Sequence, residues 1–175
     1  MSADPVVAGP AVPGSWVLLC YRLPREPSSP RVTLWRKLQR LGVAQLSDGL
    51  VALPADARTR EHFDWIAAEV REAGGTAGLW LSQPASLGQE HELAAVMAAD
   101  RAREYEDVLA AAAAAAALDE PERGRAVKRL RAELRRIGRR DYFPPRQRDA
   151  AHAAVTGLAR GELPANATRT AAGQS

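Results

Sequence analysis

The first half of the chain alternates short apolar runs with amphipathic stretches. Residues 16–21 form a continuous apolar run of strand length. Apolar residues then recur at helical spacing across 31–41 and 59–73. The apolar stripes of these two predicted helices are Val32, Trp35, Leu38 and Leu41 in the first, and Phe63, Ile66, Ala67 and Val70 in the second. The pattern therefore predicts a strand at 16–21 and helices at 31–41 and 59–73.

Two further strands are predicted between those helices. The short apolar runs 43–46 and 50–53 flank Asp48-Gly49, and both of these residues tolerate the positive φ angles of a tight hairpin turn. Residues 76–81 supply a fourth strand. The order is β-α-β-β-α-β, which right-handed crossovers convert into a four-stranded antiparallel sheet backed by two helices. This half is therefore predicted to be ferredoxin-like.

The second half is predicted to be helical. Residues 89–118 contain no proline or glycine and include eight consecutive alanines, which favours one long helix. A turn at 119–122 precedes a second helix at 123–140, whose narrow apolar seam is Val127, Leu130, Leu134 and Ile137. Residues 146–160 form a short third helix after a proline-containing break. The fold class is thus α+β, a ferredoxin-like βαββαβ unit followed by a long helical hairpin and a short third helix.

These patterns suggest four segments. Residues 1–14 and 164–175 show neither helical nor strand periodicity. They are expected to be a flexible leader and a flexible tail. Between them we expect a ferredoxin-like subdomain at 15–84 and a helical subdomain at 87–161.

The net charge of +3 conceals an uneven distribution. Residues 56–120 carry 5 basic and 13 acidic side chains, whereas residues 121–148 carry 11 basic and 3 acidic ones. Arginine accounts for 22 of the 24 basic residues, and GC-rich coding explains much of that total. It does not explain their concentration in one predicted helix.

The basic helix is a candidate nucleic-acid interface, since a row of cations on a rigid rod can neutralise phosphates of duplex DNA. Its candidate residues are Arg123, Arg125, Lys128, Arg129, Arg131, Arg135, Arg136, Arg139 and Arg140. Arg31, Arg36, Lys37 and Arg40 form a secondary basic patch on the first predicted helix. The alternative is a solvated hairpin in which the basic helix pairs with the acidic helix before it. Nine cations spread around a helix exceed what one facing helix can match.

Catalytic and metal-binding patterns are absent from the sequence, so no enzyme activity, cofactor or metal is expected. His62, His91 and His152 lie in three different predicted helices without metal-ligand spacing. The single cysteine, Cys20, excludes an internal disulfide and is expected to be a buried thiol, and the four tryptophans are expected to pack in the core. No apolar run approaches the roughly 20 residues that span a bilayer, so no membrane association is expected, and the low cysteine content favours the cytoplasm.

Several separated motifs carry a family resemblance. They are Trp16 to Pro24, Trp35 to Gly42, Asp48-Gly49 with Leu53-Pro54, Gly74-Gly75, the arginine-rich 129–137, and Asp141 to Pro144. Together they span roughly residues 15–160 and resemble the N-terminal region of the ChrB family of chromate-resistance regulators. That family carries a further domain, associated with chromate response, after this region. The first subdomain is also similar to the ferredoxin-like module of PaaX repressors and of small CRISPR-associated nucleases.

The resemblance implies a transcriptional regulator that binds duplex DNA, with chromate as a possible effector. Modules of this kind pair through their sheets, which implies a homodimer. The related nucleases hold metal with an acidic residue at the end of their first strand, where this chain has Tyr21-Arg22, so no nuclease activity is expected. The alternative function is a non-enzymatic interaction module, a dimer that presents its helical hairpin to a protein partner such as a separate chromate-response domain.

Overall fold

The structure, a computed structural model, describes residues 14–162 and confirms the α+β fold class. The predicted leader, apart from Gly14, and the predicted tail lie outside these residues. The elements are β1 Trp16–Arg22, α1 Ser29–Leu41, β2 Ala44–Ser47, β3 Leu50–Pro54, α2 Ala57–Glu72, β4 Thr76–Ser82, α3 Leu87–Ala115, α4 Glu120–Gly138 and α5 Gln147–Arg160.

The sheet has the order β2-β3-β1-β4, and every neighbouring pair is antiparallel. β1 pairs with β3 from Trp16 opposite Pro54 to Cys20 opposite Leu50, and it pairs with β4 along its whole length. This is the ferredoxin-like order that the sequence predicts. The hairpin between β2 and β3 turns at Asp48-Gly49, where Gly49 has a φ of 73°.

The described chain packs as two units that divide between Val96 and Met97, within α3. The first turns of α3 belong to the sheet unit, because Glu90 accepts hydrogen bonds from the indole nitrogen of Trp16 at 3.2 Å and from the backbone of Gly14 at 2.8 Å. The predicted subdomain bounds, 15–84 and 87–161, stay a prediction.

The core of the sheet unit lies between one sheet face and the two helices. Val17, Leu19, Val51 and Leu53 alternate along the central strands and are at most 1% exposed. From α2, Phe63, Ile66, Ala67 and Val70 are buried, as the sequence predicts. From α1, the buried residues are Leu34 and Leu38.

Three expectations about this unit were wrong. The apolar stripe of α1 does not run through Val32 and Trp35, which are 48% and 39% exposed. Trp65 and Trp80 also lie outside the core, at 67% and 65% exposed, whereas Trp16 is buried. Cys20 is exposed, because successive strand residues point to opposite faces and Cys20 lies on the face that α1 and α2 do not cover.

The start of α2 is fixed by a reciprocal cap. The Asp56 carboxylate accepts a hydrogen bond from the backbone of Thr59 at 2.6 Å, and the Thr59 hydroxyl accepts one from the backbone of Asp56 at 2.9 Å. Thr59 is fully buried. The backbone hydrogen bond from Thr59 lowers the pKa of Asp56. The cap therefore favours the ionised carboxylate and anchors α2 where it leaves β3.

The helical unit has its own core, formed by α4, α5 and the later turns of α3. Tyr105, Val108, Ala112 and Ala115 of α3 pack with the apolar seam of α4. Ala151, Val155 and Leu158 of α5 complete this cluster. The core thus uses Ala112 and Ala115 of the alanine-rich run, whereas Ala110, Ala113 and Ala114 are exposed.

A polar network joins α3 to the end of α4 beside that core. Glu104 forms ion pairs with Arg101, at 2.7 Å, and with Arg140. The side chains of Arg101, Glu104 and Arg140 are only 10%, 25% and 15% exposed. Next to them, the hydroxyl of buried Tyr105 donates a hydrogen bond to Asp141 at 2.8 Å. The pKa of Tyr105 is raised, mainly by burial and to a smaller extent by this hydrogen bond. One carboxylate therefore neutralises two largely buried guanidinium groups.

Replacing Asp56 with alanine should lower the free energy of unfolding by about 1 kcal/mol at neutral pH, because α2 loses its N-terminal cap. Since the pKa of Asp56 is lowered in the folded state, the contribution is present at neutral pH and is lost as the pH falls through that lowered pKa. Urea denaturation followed by circular dichroism measures both effects. Asp64→Ala, on the exposed face of the same helix, is the matched control, and an equal loss in both variants would contradict the capping role.

Replacing Glu104 with alanine should destabilise the helical unit by about 2 kcal/mol, since it leaves two largely buried guanidinium groups without a counter-ion. Glu133→Ala removes the partner of Arg136, whose side chain is 68% exposed, and should cost well under 1 kcal/mol. The comparison uses urea denaturation of the two variants. Similar midpoints would show that the Glu104 network does not hold α3 to α4.

Candidate nucleic-acid interface

Burial of one side of α4 determines which of its basic residues face outward. The helix begins with Asp119, whose carboxylate accepts a hydrogen bond from the backbone of Glu122 at 2.9 Å, and with Pro121 in its first turn. Its buried residues are Ala126, Val127, Leu130, Leu134 and Ile137. The basic residues occupy the remaining circumference. The structure thus places all nine predicted residues on α4 or at its C-terminal end.

Two of the nine predicted basic residues contact other parts of the protein. Arg140 lies in the ion pair with Glu104, where its side chain is 15% exposed. Arg123 is half-buried, and its guanidinium donates a hydrogen bond to the carbonyl of Leu118 at 3.3 Å. Both side chains hold the ends of α4 in place.

Two more are paired along the helix itself. Arg136 contacts Glu133 at 2.5 Å, and this hydrogen bond raises the pKa of Arg136. Arg125 lies 3.9 Å from Glu122. Both are exposed pairs at the i, i+3 spacing, which contribute little to stability and can exchange for another anion.

The remaining five are exposed, and no carboxylate of residues 14–162 lies within 4.0 Å of any of them. They are Lys128, Arg129, Arg131, Arg135 and Arg139. Four of the five follow one another at spacings of three, four and four residues and share one helical face. Those four, Lys128, Arg131, Arg135 and Arg139, are named the α4 stripe.

The α4 stripe lies opposite the buried seam and extends about 16 Å along the helix axis. Its surroundings are open. A Cβ atom built on Gly124 or Gly138, two other exposed positions of α4, would meet no atom within 4 Å. Arg129 lies to one side, in a groove that it shares with Glu104, Asp107 and Glu133. The stripe is therefore a straight row of four accessible cations with no acidic residue in it.

Pairing with the acidic helix does not neutralise this row. Within the described chain, the ion pair between α3 and α4 is that of Glu104 with Arg140. Other acids of α3 have different partners, since Asp100 contacts Arg103 and Glu106 accepts a hydrogen bond from Gln147. In the alternative, the acidic helix would neutralise the basic one, but such a pair is present for only one of the nine basic residues among the described residues, Arg140.

The secondary basic patch on α1 is only partly accessible. Lys37 pairs with Glu69 at 2.5 Å, and Arg31 donates a hydrogen bond to the carbonyl of Pro24 at 3.0 Å. Arg36 and Arg40 are exposed, and neither has a carboxylate of the described residues within 4.0 Å. The patch thus keeps three exposed arginines, of which Arg36 and Arg40 lie about one turn apart and Arg31 is bonded to the Pro24 carbonyl.

The sequence offers Glu104 as one of six acids of the preceding helix that could pair with the basic helix, but it does not single out its pairing with Arg140. The i, i+3 spacing of Arg101 and Glu104 is a visible signal for their pair. The contact with Arg140 carries no such signal, because 36 residues separate the partners.

Residues 14–162 contain neither a membrane-spanning helix nor a metal-binding cluster. None of the helices there is long and apolar enough to cross a bilayer. The same stretch contains no group of three or more histidine, cysteine, aspartate or glutamate side chains able to hold a metal ion.

Comparison with known proteins identifies the family. The family model described as "Protein ChrB, N-terminal" matches residues 31–119, just over half of the chain. Protein ChrB of Cupriavidus metallidurans is 30% identical over 134 residues, which cover 74% of this chain and 41% of that protein. This chain thus corresponds to about two fifths of the length of its relative. No solved structure matches the chain. The chain belongs to the ChrB family, and it corresponds to the N-terminal part of that family's proteins.

Proposed function

We propose that this chain is a non-enzymatic, DNA-binding regulator of chromate resistance that contacts duplex DNA through the α4 stripe. The observation that carries the proposal is the row of four exposed cations with no carboxylate of residues 14–162 within 4.0 Å. Membership of the ChrB family supports the connection to chromate resistance.

The physical basis is the release of counterions from DNA. Each cation that neutralises a phosphate releases condensed ions, so affinity falls with salt by about 0.9 logarithmic units per contact and per tenfold increase in salt. Four residues of the α4 stripe therefore supply a slope of up to about −3.6. Contacts of this kind position a protein on the duplex and do not read its sequence.

Arginine suits this role better than lysine does. Its planar guanidinium donates two parallel hydrogen bonds to a phosphate, and three of the four residues of the α4 stripe are arginines. Arg125 and Arg136 flank the stripe in exposed, weak pairs that a phosphate can replace. The match to the family model ends at residue 119, directly before α4. The proposal therefore depends on α4 itself and not on the matched segment.

The remaining parts of the proposal concern partners. A homodimer would present two α4 stripes and would double the number of phosphate contacts. Chromate is the proposed effector, and the part of ChrB that this chain does not match is the proposed source of the chromate response.

The triple variant Arg131→Gln, Arg135→Gln, Arg139→Gln should bind duplex DNA carrying its own promoter at least about tenfold more weakly at low salt. The slope of log affinity against log salt should become shallower by about 2.7, since three phosphate contacts are lost. Fluorescence anisotropy of a labelled duplex, recorded over a range of salt concentrations, measures both quantities.

The matched control is Arg58→Gln, Arg60→Gln, Arg103→Gln, which removes the same net charge from exposed positions outside α4. It should keep most of the affinity and the slope. Equal losses in the two triple variants would attribute binding to overall charge and would contradict a specific role of the stripe. Absence of any binding at low salt would favour the alternative, in which the helical hairpin docks on a protein partner.

A further inference from the structure

A second basic surface lies in the sheet unit, at the end of β1. An open groove of about 1150 Å³ extends there between the residues after β1, the first turns of α1 and the hairpin of β2 and β3. Its lining includes Arg22, Arg25, Arg31, Tyr21 and Trp35. A groove of this size accommodates an organic ligand and is far larger than a simple inorganic anion needs.

The floor of the groove is fixed by the hairpin. The backbone N–H of Tyr21 donates a hydrogen bond to the carbonyl of Gly49 at 2.7 Å, which ties the turn to the end of β1. Gly49 has a φ of 73°, and a Cβ atom at this position would overlap the carbonyl oxygen of Tyr21. Only glycine allows this close approach, so the hairpin is held directly against the end of β1.

The charge of the groove is positive. Three arginines line it, and Asp48 is the single acidic residue among the lining residues. Throughout residues 14–162, no carboxylate lies within 4.0 Å of Arg22, Arg25 or Arg31. The carbonyl of Pro24 accepts a hydrogen bond from Arg31 at 3.0 Å and orients its guanidinium. The groove therefore offers three cations to an anionic ligand, one of them held in place.

An aromatic surface lies beside these cations. Trp35 follows Arg31 by one helical turn on the same face of α1, and its indole is 39% exposed. Tyr21 of β1 also lines the groove, and burial, together with the smaller effect of the nearby Asp48 carboxylate, raises its pKa. Its phenol is therefore neutral at physiological pH. The groove thus places a partly exposed aromatic ring on the same helix face as one of its arginines.

We propose that this groove binds a nucleotide unit, with its phosphate on the arginines and its base stacked on Trp35. Guanidinium groups bind phosphate through paired hydrogen bonds, and stacking on an exposed aromatic ring favours any base because every base has a flat face. A tetrahedral anion alone would use the arginines and leave the indole without a partner. The unit is either a free nucleotide or one residue of a single strand.

This proposal does not rest on the proposed function. The groove belongs to the sheet unit, whereas the α4 stripe belongs to the helical unit. The two sites can therefore be tested with separate variants of the same chain.

Cys20 provides a local readout, because it is the chain's single cysteine, is exposed, and lines the groove. The experiment measures the rate at which Ellman's reagent modifies Cys20 in the full chain. The rate is recorded with increasing thymidine monophosphate, hexathymidylate, thymidine or inorganic phosphate. We expect the first or the second compound to slow the reaction in a saturable manner, and thymidine and phosphate to protect far less. Protection by the monophosphate indicates a free nucleotide, and protection by hexathymidylate alone indicates a single strand.

Two pairs of variants test the roles of individual side chains. Trp35→Leu should weaken protection about tenfold, whereas Trp65→Leu, at a more exposed tryptophan of α2 outside the groove, should leave it unchanged. Arg25→Gln should weaken protection, whereas Arg58→Gln should not. The triple variant of the α4 stripe should also retain protection. Thermal melting followed by circular dichroism confirms that each variant is folded.

Three results would overturn the proposal. The first is no protection by either nucleotide compound. The second is equal protection by inorganic phosphate and by the nucleotides, without any effect of Trp35→Leu. The third is loss of protection in the α4 variant but not in Arg25→Gln, which would assign nucleotide binding to the helical unit.

Discussion

A helix that buries one stripe against its neighbours must present the rest of its circumference to solvent, and this constraint on α4 determines most of the functional geometry. Five apolar residues face the core of the helical unit, so the polar positions between them point outward. The Glu104 ion pair then fixes the C-terminal end of the helix by holding Arg140 inward. What is left outside is a straight row of cations. The accessible charge of α4 is thus a consequence of how its core packs.

Much of the fold could be predicted from sequence because its signals are local. Asp48-Gly49 marks the hairpin, and the run of Phe63, Ile66 and Val70 marks the buried face of α2. The buried face of α1 could not be predicted in the same way. Leu34 and Val32 both lie at helical spacing from Leu38 or Trp35, so two overlapping stripes fit the sequence equally well, and only packing on the sheet selects Leu34. The same reason explains why Trp35 was wrongly placed in the core.

The candidate site shows the same division between local and long-range information. The concentration of arginine in 123–140 was visible in the sequence, as were the acids Glu122 and Glu133 that pair at i, i+3. The inward position of Arg140 depends on a carboxylate of another helix, and the groove at the end of β1 brings together residues of three strands and a helix. Contacts of that kind arise from tertiary structure, which periodicity does not encode.

The composition of the α4 stripe also bears on how such a surface could be regulated. Acetylation neutralises lysine side chains only, and Lys128 is the one lysine in the row. That modification can therefore remove one of the four charges and leaves the three arginines unchanged. Masking of the surface, competing anions or a change in assembly would act on all four at once.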